Sequence, residues 1–436
     1  MTEDYHSLLA RREAMRLRDR LLAPAPRAGA TTSPSGRATG SAAGQAGAWD
    51  GAADQELIVR NLDLVTPFGE VITLLYEAMF ERHPYLRKLF PDSMEFQRTH
   101  LEHAFRYTIE NLHRSEQLAA FFTRLGRDHR KLGVRPVHYQ VFEDALTEAL
   151  RRYAGERWRD DVEQAWLRML RFVVAAMVNG ADGALAEPAS WGCTVTRHER
   201  RRPDLAVLRV RTFEPYPYRP GQYATLQSPL LPHAWRPYSL ARASAPDGEL
   251  EFHIRRTGPG GLSDALVTRT GVGDSLRLGP VKGTMTLDED PTREVLIVAG
   301  GTGWAPARAL LEELAVRRRP GTGAYVFVGA RTADDLYDAP ALARLENRCP
   351  WLRVVPVTEG PGGSEDGSVV EAVARYGDWT DCTAYVSGPP AMVIAAVYRL
   401  TVAGVPADRI HHDPVVGAVA PSPPPLGWHT PDGFPA

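Results

Sequence analysis

A chain of three domains of different class is predicted: an all-α domain, then an antiparallel β-barrel, then an α/β domain with a parallel sheet. Three changes of pattern predict it. From about 56 to 180 apolar residues recur at helical spacing. Apolar and polar positions then alternate between breaks of Pro and Gly, as in short antiparallel strands. From 293 continuous apolar runs alternate with helical stretches, the signature of a parallel sheet covered by helices. At 436 residues the chain is long enough for two or three separate cores.

Residues 1–22 carry Leu8, Leu9, Met15, Leu17, Leu21 and Leu22 among mixed charges, a weak helical signal that reads better as a solvated tail. Residues 23–53 are small and polar apart from Trp49 and cannot bury a core, so 1–55 is assigned as a disordered extension and linker. The helical domain follows over 56–185. In "FGEVITLLYEAMFERHP" Val71, Leu75 and Met79 form one stripe, with Ile72, Tyr76 and Phe80 beside it. "FQRTHLEHAFRYTIENL" repeats the spacing at Leu101, Phe105, Ile109 and Leu112, and "VFEDALTEALRRY" and "VEQAWLRMLRFVVAAM" continue it. The barrel is assigned to 190–287, on "DLAVLRVRTFEPYPYRPGQYATLQSP", "DGELEFHIRR" and "GDSLRLGPVKG". The α/β domain is assigned to 292–417, with "REVLIVAGG", "AYVFVGA", "LRVVPVT" and "TAYVSG" as strands and "APARALLEELAVRR" as a helix. Residues 418–436 read as a disordered tail.

Composition narrows the function. The 51 basic and 53 acidic residues nearly balance, so no broad nucleic-acid or anionic-membrane surface is expected. The three cysteines, Cys193, Cys349 and Cys382, form no CxxC pair. That argues against a disulfide framework, a structural zinc site or a four-thiolate iron–sulfur cluster. No apolar run reaches the roughly 18 residues of a membrane span, and no signal-peptide centre is visible. A cytoplasmic protein is expected.

"VLIVAGGTGWAP" places Gly300, Gly301 and Gly303 at the carboxyl end of a strand, just before a helix. Such a turn offers backbone N–H groups and a helix N-terminus to a pyrophosphate. Alone it is weak evidence, and its spacing is not GxGxxG. Upstream stand "RPGQY" at 219–223, "RPYS" at 236–239 and "GPGGLSDAL" from Gly258; downstream stands "YVSGPPAM". Arg236 can pair with a diphosphate, Tyr238 can lie against a planar ring and Ser239 can hydrogen-bond it. The Gly260-Gly261 pair lets a phosphate approach beside Ser263. Each piece is individually more often an ordinary turn or strand residue; the four in order are hard to explain that way.

On these motifs, residues 190–417 resemble the ferredoxin–NADP reductase superfamily. The resemblance implies FAD at Tyr223, Arg236, Pro237, Tyr238, Ser239, Gly261 and Ser263. It implies NADH or NADPH at Gly300, Gly301, Thr302, Gly303, Trp304, Ala305 and Pro306, and at Gly388 and Pro389. The family's Cys-Gly-Pro appears as Ser387-Gly388-Pro389, and its terminal flavin-covering aromatic falls near Val415. Arg331 is a candidate for a 2′-phosphate, Asp334 and Asp335 for a ribose diol.

A flavin that collects hydride needs an acceptor, and with no cluster available haem held by one histidine is the alternative. His83, His100, His103, His113, His129 and His138 are all candidates, and a bare helical histidine is more often structural than a ligand. Here "LLYEAMFERHPYLRKLF", "DSMEFQRTHL" and "LGRDHRKLGVRPVHY" resemble the globin part of a flavohaemoglobin. That resemblance implies haem b with His129 as the iron ligand and Phe90 wedging the ring. Tyr76 and Gln97 take the places of distal hydrogen-bond donors, Leu101 closes the pocket, and Tyr139 takes the place of a tyrosine near the ligand. His138 becomes a bystander. The family's proximal Glu falls near Ala181, next to Asp182.

Across 56–417 the order of domains is similar to that of a flavohaemoglobin. The implied activity passes electrons from NAD(P)H through FAD to haem and dioxygen, converting nitric oxide to nitrate. The alternatives are a haem-containing NAD(P)H oxidoreductase with another acceptor and a globin-based oxygen or redox sensor. O2 and NO are the expected small-molecule partners, with a weak protein contact through the N-terminal extension.

Overall fold

The computed structural model describes residues 51–413 apart from 92, 245–246, 290–291, 360–364 and 367. The expectations for 1–50, for Val415 and for the tail lie outside the described residues. The chain divides into two compact units at Ser190/Trp191, each described by itself.

The first unit is helical: α1 (Gly51–Arg60), α2 (Phe68–Arg82), α3 (Glu95–Asn111), α4 (Ser115–His129), α5 (Pro136–Ala154) and α6 (Asp160–Gly183). One core holds the predicted stripes, Val71, Leu75 and Met79 with Phe105 and Ile109. At its centre Trp166 meets Phe105 edge-on at 5.8 Å and Phe68 at 6.3 Å. Helix α1 begins five residues inside the segment assigned as linker. Its first five residues, GAADQ, carry no bulky apolar side chain, but Asp54 is buried and accepts from Arg168 Nε at 3.0 Å, a long-range ion pair that no local pattern shows.

Helices α4 and α6 touch through their backbones. A Cβ on Gly126 would lie 1.9 Å from the Met177 carbonyl oxygen, and one on Gly180 would lie 1.9 Å from that of Thr123. Glycine at both positions is therefore a packing requirement.

The second unit holds two sheets. The strands of the first are β1 (Trp191–Arg202), β2 (Leu205–Thr212), β3 (Tyr223–Gln227), β4 (Arg236–Ser239), β5 (Glu249–Arg255) and β6 (Ser275–Leu278). They pair antiparallel in the order β4-β3-β6-β1-β2-β5. A bridge between Leu240 and Phe252, and the Ala241 N–H to Glu251 O bond at 2.8 Å, join the outer strands and close the barrel. The barrel core, including Val195, Leu208, Leu226 and Phe252, is plugged by Leu262 and Leu266 of α7 (Leu262–Thr268).

The second sheet is parallel: β7 (Val295–Gly300), β8 (Ala324–Ala330), β9 (Leu352–Thr358), β10 (Glu365–Asp366), β11 (Thr383–Ser387) and β12 (Ile410–His411), in the order β10-β9-β8-β7-β11-β12. Four helices connect it: α8 (Trp304–Arg317), α9 (Ala339–Arg348), α10 (Val369–Tyr376) and α11 (Pro390–Val402). Alternation along β7 sends Val295, Ile297 and Ala299 into one core, against Leu310, Leu314 and Leu342. Leu296 and Val298 enter the other, against Val373 and Val393. The strand order reverses between β7 and β11, which opens a crevice at their carboxyl ends, where such sheets bind ligands.

Candidate functional site

In the helical unit the predicted haem residues come from four helices and one connecting turn. Tyr76 of α2 is buried, and its ring meets Phe90 edge-on at 5.7 Å and stacks on Phe80 at 5.9 Å. Burial pushes the Tyr76 hydroxyl up to about 12, against the opposing charge of Arg98. It therefore stays protonated, a standing donor at neutral pH. Gln97 lies on α3, which packs on α2, and its Oε1 is buried with no hydrogen-bond partner among the described residues. Leu101, one turn on, is half-buried against the core.

His129 ends α4. Its Nδ1 hydrogen-bonds the Leu125 carbonyl at 2.9 Å, which favours the tautomer with Nδ1–H donating and the lone pair on Nε2. That is the arrangement a metal-binding imidazole requires. Tyr139, half-buried on α5, also has its hydroxyl raised to about 12 by burial. His138 serves the backbone instead, because its Nδ1 accepts the Arg135 N–H at 3.1 Å and caps the start of α5. Burial, with the charge of Arg135, lowers its pKa. Among the described residues no group of three or more His, Cys, Asp or Glu is arranged to hold a metal ion. The His129 ring, with Nδ1 engaged by the Leu125 carbonyl, fits a porphyrin-held iron with one imidazole, and the orphaned Gln97 oxygen fits a pocket that takes a further polar partner.

In the barrel, β3 and β4 pair Tyr223 with Ser239, Ala224 with Tyr238 and Leu226 with Arg236. Strand alternation puts Arg236 and Tyr238 on one face and Pro237 and Ser239 on the other. Arg236 is exposed, and its Nη1 donates to the Trp235 carbonyl at 2.9 Å. Burial raises the Tyr238 hydroxyl, keeping that ring neutral. Gly261 is the residue before α7. Ser263 is buried, and its hydroxyl accepts the Thr257 N–H at 3.1 Å and bonds the Thr257 hydroxyl at 3.0 Å. It holds the turn, which shifts any phosphate contact from the expected side chain to the glycine backbone.

In the crevice, Gly301 has φ +55°, a left-handed conformation that suits glycine. A Cβ on Gly303 would lie 2.2 Å from the Ser387 carbonyl, so the turn after β7 packs directly on the end of β11. Ser387, in the place of the family's cysteine, donates its hydroxyl to the Gly303 carbonyl at 2.7 Å. Gly388 is also close, with Gly300 N 3.0 Å from a Cβ there, and Pro389 precedes α11. Thr302 lies in the turn, and Trp304, Ala305 and Pro306 form the first turn of α8, where proline's missing N–H costs nothing. A small cavity beside the turn is lined by Gly301, Trp304, Gly329, Tyr337 and Asp338.

Two further acidic residues make contacts that the sequence does not show. Asp335 is already engaged, its carboxylate accepting from the Thr332 hydroxyl at 2.9 Å and pairing with Arg202 at 3.3 Å, so a ribose diol would share it with both. Asp413, which the sequence does not single out, accepts the Thr284 N–H at 3.3 Å, and a Cβ on Gly283 would lie 2.8 Å from its carboxylate and 3.0 Å from the Tyr223 ring. Burial, opposed by the Thr284 N–H and His412, pushes it up to about 6. No local motif marks it, since the residues it meets lie 129 and more positions upstream.

Fold and sites together define a globin joined to a flavin–nicotinamide oxidoreductase. Comparison with known proteins agrees. The Globin family model matches 73–177, the oxidoreductase FAD-binding domain 192–286 and the oxidoreductase NAD-binding domain 297–397. A flavohemoprotein of Chromobacterium violaceum is 25% identical over 398 residues, covering 82% of this chain and 96% of that one. The ferredoxin–NAD(P)+ reductase component of a Ralstonia naphthalene 1,2-dioxygenase/salicylate 5-hydroxylase system is 34% identical over 224 residues, 50% of this chain and 67% of that protein. The crystal structure of a Malassezia yamatoensis flavohemoglobin with bound FAD and haem superposes with a TM-score of 0.69 at 17% identity, covering 83% of this chain and 98% of that one. The chain is a globin joined to FAD- and NAD-binding oxidoreductase domains, similar over most of its length to flavohemoproteins, and its cofactors are haem, FAD and a nicotinamide dinucleotide. Among the described residues no helix is long and apolar enough to cross a membrane.

Proposed function

We propose that this oxidoreductase is a nitric oxide dioxygenase, passing electrons from NAD(P)H through FAD to haem and converting nitric oxide and dioxygen to nitrate. The observation that carries the reading is the distal wall: a buried Tyr76 hydroxyl kept in its donor form by burial, and a half-buried Gln97 whose Oε1 has no partner among the described residues, so that nothing there holds its amide against turning the NH2 inward as a second donor. When bound, haem supplies the redox-active iron that takes up dioxygen. Donors set in a desolvated pocket stabilise negative charge as it develops on oxygen. His129 would hold the iron through Nε2, the ring nitrogen opposite the Leu125 bond, Phe90 and Leu101 would pack against the porphyrin, and Tyr139 would stand by the ligand. Tyr223, Arg236, Pro237, Tyr238, Ser239 and Gly261 hold FAD, with Ser263 shaping the phosphate turn. The 300–306 turn with Gly388 and Pro389 receives the dinucleotide.

The test is NAD(P)H-dependent consumption of NO in air by the purified holoprotein. Turnover well above that of free flavin is expected; a rate no better than free flavin overturns the reading. His129→Ala is expected to lose the Soret band and bound iron. Retention of both would remove the iron from this site.

A second reading is favoured by one observation: the reductase half is more similar to an oxygenase-system ferredoxin reductase component than the whole chain is to a flavohemoprotein. Under it, FAD delivers electrons chiefly to a separate acceptor. Rapid flavin reduction followed by slow haem reduction in a single-turnover experiment selects it.

A further inference from the structure

A chain of buried polar side chains joins the barrel to the dinucleotide crevice. His253 of β5 is buried, with Nδ1 2.7 Å from the Tyr337 hydroxyl and Nε2 3.1 Å from Glu251 Oε1. Since a carboxylate only accepts, Nε2 carries the proton and Nδ1 accepts from Tyr337 O–H. Glu251, 1% exposed, also accepts from Arg308 Nη1 at 2.6 Å and Arg209 Nε at 2.7 Å. Burial opposes its charge, but the bond from His253 and the charge of Arg308 outweigh it and bring its carboxyl down to about 2. Arg308 stands one turn beyond Trp304 on α8 and 3.9 Å from Asp338, whose carboxylate accepts the Trp304 indole N–H at 2.8 Å. The chain thus begins at Tyr337 and returns at Asp338 and Trp304. All three residues line the cavity beside the glycine turn.

We propose that His253 and Glu251 are positioning residues for the nicotinamide dinucleotide: from the outer face of β5 they fix Tyr337, and through Arg308 the Asp338–Trp304 pair, which wall the small cavity beside the glycine turn that receives it. Such a network costs free energy to bury and is stable only when every member is satisfied. Removing one link leaves a buried polar group that turns to find another partner, and the wall it held moves with it. Affinity for the dinucleotide then falls, although neither His253 nor Glu251 touches the cavity. The inference rests on dinucleotide binding at the glycine turn and is independent of the terminal electron acceptor.

The test is anaerobic stopped-flow bleaching of the FAD in the full-length holoprotein, with NADH and with NADPH as probes. His253→Leu and Tyr337→Phe are expected to raise the half-saturating concentration of the preferred dinucleotide at least fivefold. The limiting bleaching rate and FAD content should stay within about twofold of the parent. His253→Gln, which keeps an amide donor for Glu251 and an acceptor for Tyr337, is expected to restore most of the affinity. A merely structural role would lower FAD content or the unfolding midpoint and leave half-saturation unmoved; that result overturns the proposal. Tyr337→Phe removes one oxygen only, so it decides the matter if His253→Leu does not fold. Failure of the parent protein to bleach with either dinucleotide would instead count against the reading of the crevice.

Discussion

Gly126→Ala adds one methyl where α4 and α6 touch. The new Cβ would lie 1.9 Å from the Met177 carbonyl oxygen and 2.5 Å from that residue's Cα. Reaching an ordinary 3.4 Å contact requires the helices to part by about 1.5 Å. The obstacle is backbone in the middle of α6, so no side chain can swing aside. Overpacking of this kind costs about 1–3 kcal/mol, and the obstructing backbone puts this site at the upper end. The gain in helix propensity from Gly to Ala returns about 0.8–1 kcal/mol. A net loss of about 1–2 kcal/mol remains, a fall of roughly 3–10 °C in the unfolding midpoint of a domain this size. His129 stands three residues further along the same helix, so the displaced helix carries the imidazole with it. Thermal unfolding followed both at the Soret band and by far-ultraviolet circular dichroism reads the two effects, and haem transfer to an apoglobin acceptor reads the second alone. Gly69→Ala is the control: exposed in the first turn of α2, with nothing within 4 Å of its Cβ, it is expected to be neutral or to stabilise by up to ~1 kcal/mol. If Gly126→Ala proved as benign as Gly69→Ala, the close approach of α4 and α6 would be refuted.

Tyr76→Phe removes the buried hydroxyl proposed as the distal donor. A hydrogen bond to a charge-bearing partner is worth about 1.5–3 kcal/mol, so dioxygen dissociation from the ferrous protein should quicken by roughly 10–100-fold; an unchanged rate would mean the hydroxyl points elsewhere. Gly303→Ala drives a methyl against the Ser387 carbonyl, and a large rise in half-saturating NAD(P)H is expected, with haem content unaltered. Ser387→Ala loses the hydroxyl bond to Gly303 and should weaken dinucleotide binding several-fold, about 1 kcal/mol. Asp413 has its pKa raised by burial to about 6, so its ionisation costs stability once pH rises through that value. Asp413→Asn should therefore raise the reductase unit's unfolding midpoint relative to the parent at pH 8 and lose that advantage at pH 5; an equal difference at both would show that the carboxyl titrates normally.

Much of the site is legible locally. The 3.6-residue spacing of Val71, Leu75 and Met79 and the alternation through β5 each belong to windows of about ten residues. The Gly300–Gly303 turn and the RPYS strand are contiguous motifs whose chemistry needs those residues side by side. Asp54 falls in the predicted linker because its reason for being helical, the Arg168 ion pair, lies 114 positions away. His138, one of two histidines in a single short stretch, reads as a candidate ligand from spacing alone; only the folded chain shows its ring capping α5. Asp335, in the turn after β8, reads as open to a ribose, but Arg202, at the end of β1, lies beside it and shares its carboxylate.

The sequence by itself determined the succession of one helical and two β-containing regions and the glycine turn, and its resemblance nominated His129. Those are properties of neighbouring residues, and secondary structure reads neighbours. The tertiary structure alone decided that the barrel closes at Leu240 and Phe252, that Gly126 and Gly180 bring two helices into backbone contact, and that His253 meets Tyr337 across 84 residues. The reason is that topology sets which distant positions meet, and burial then makes every polar group among them find its partner there.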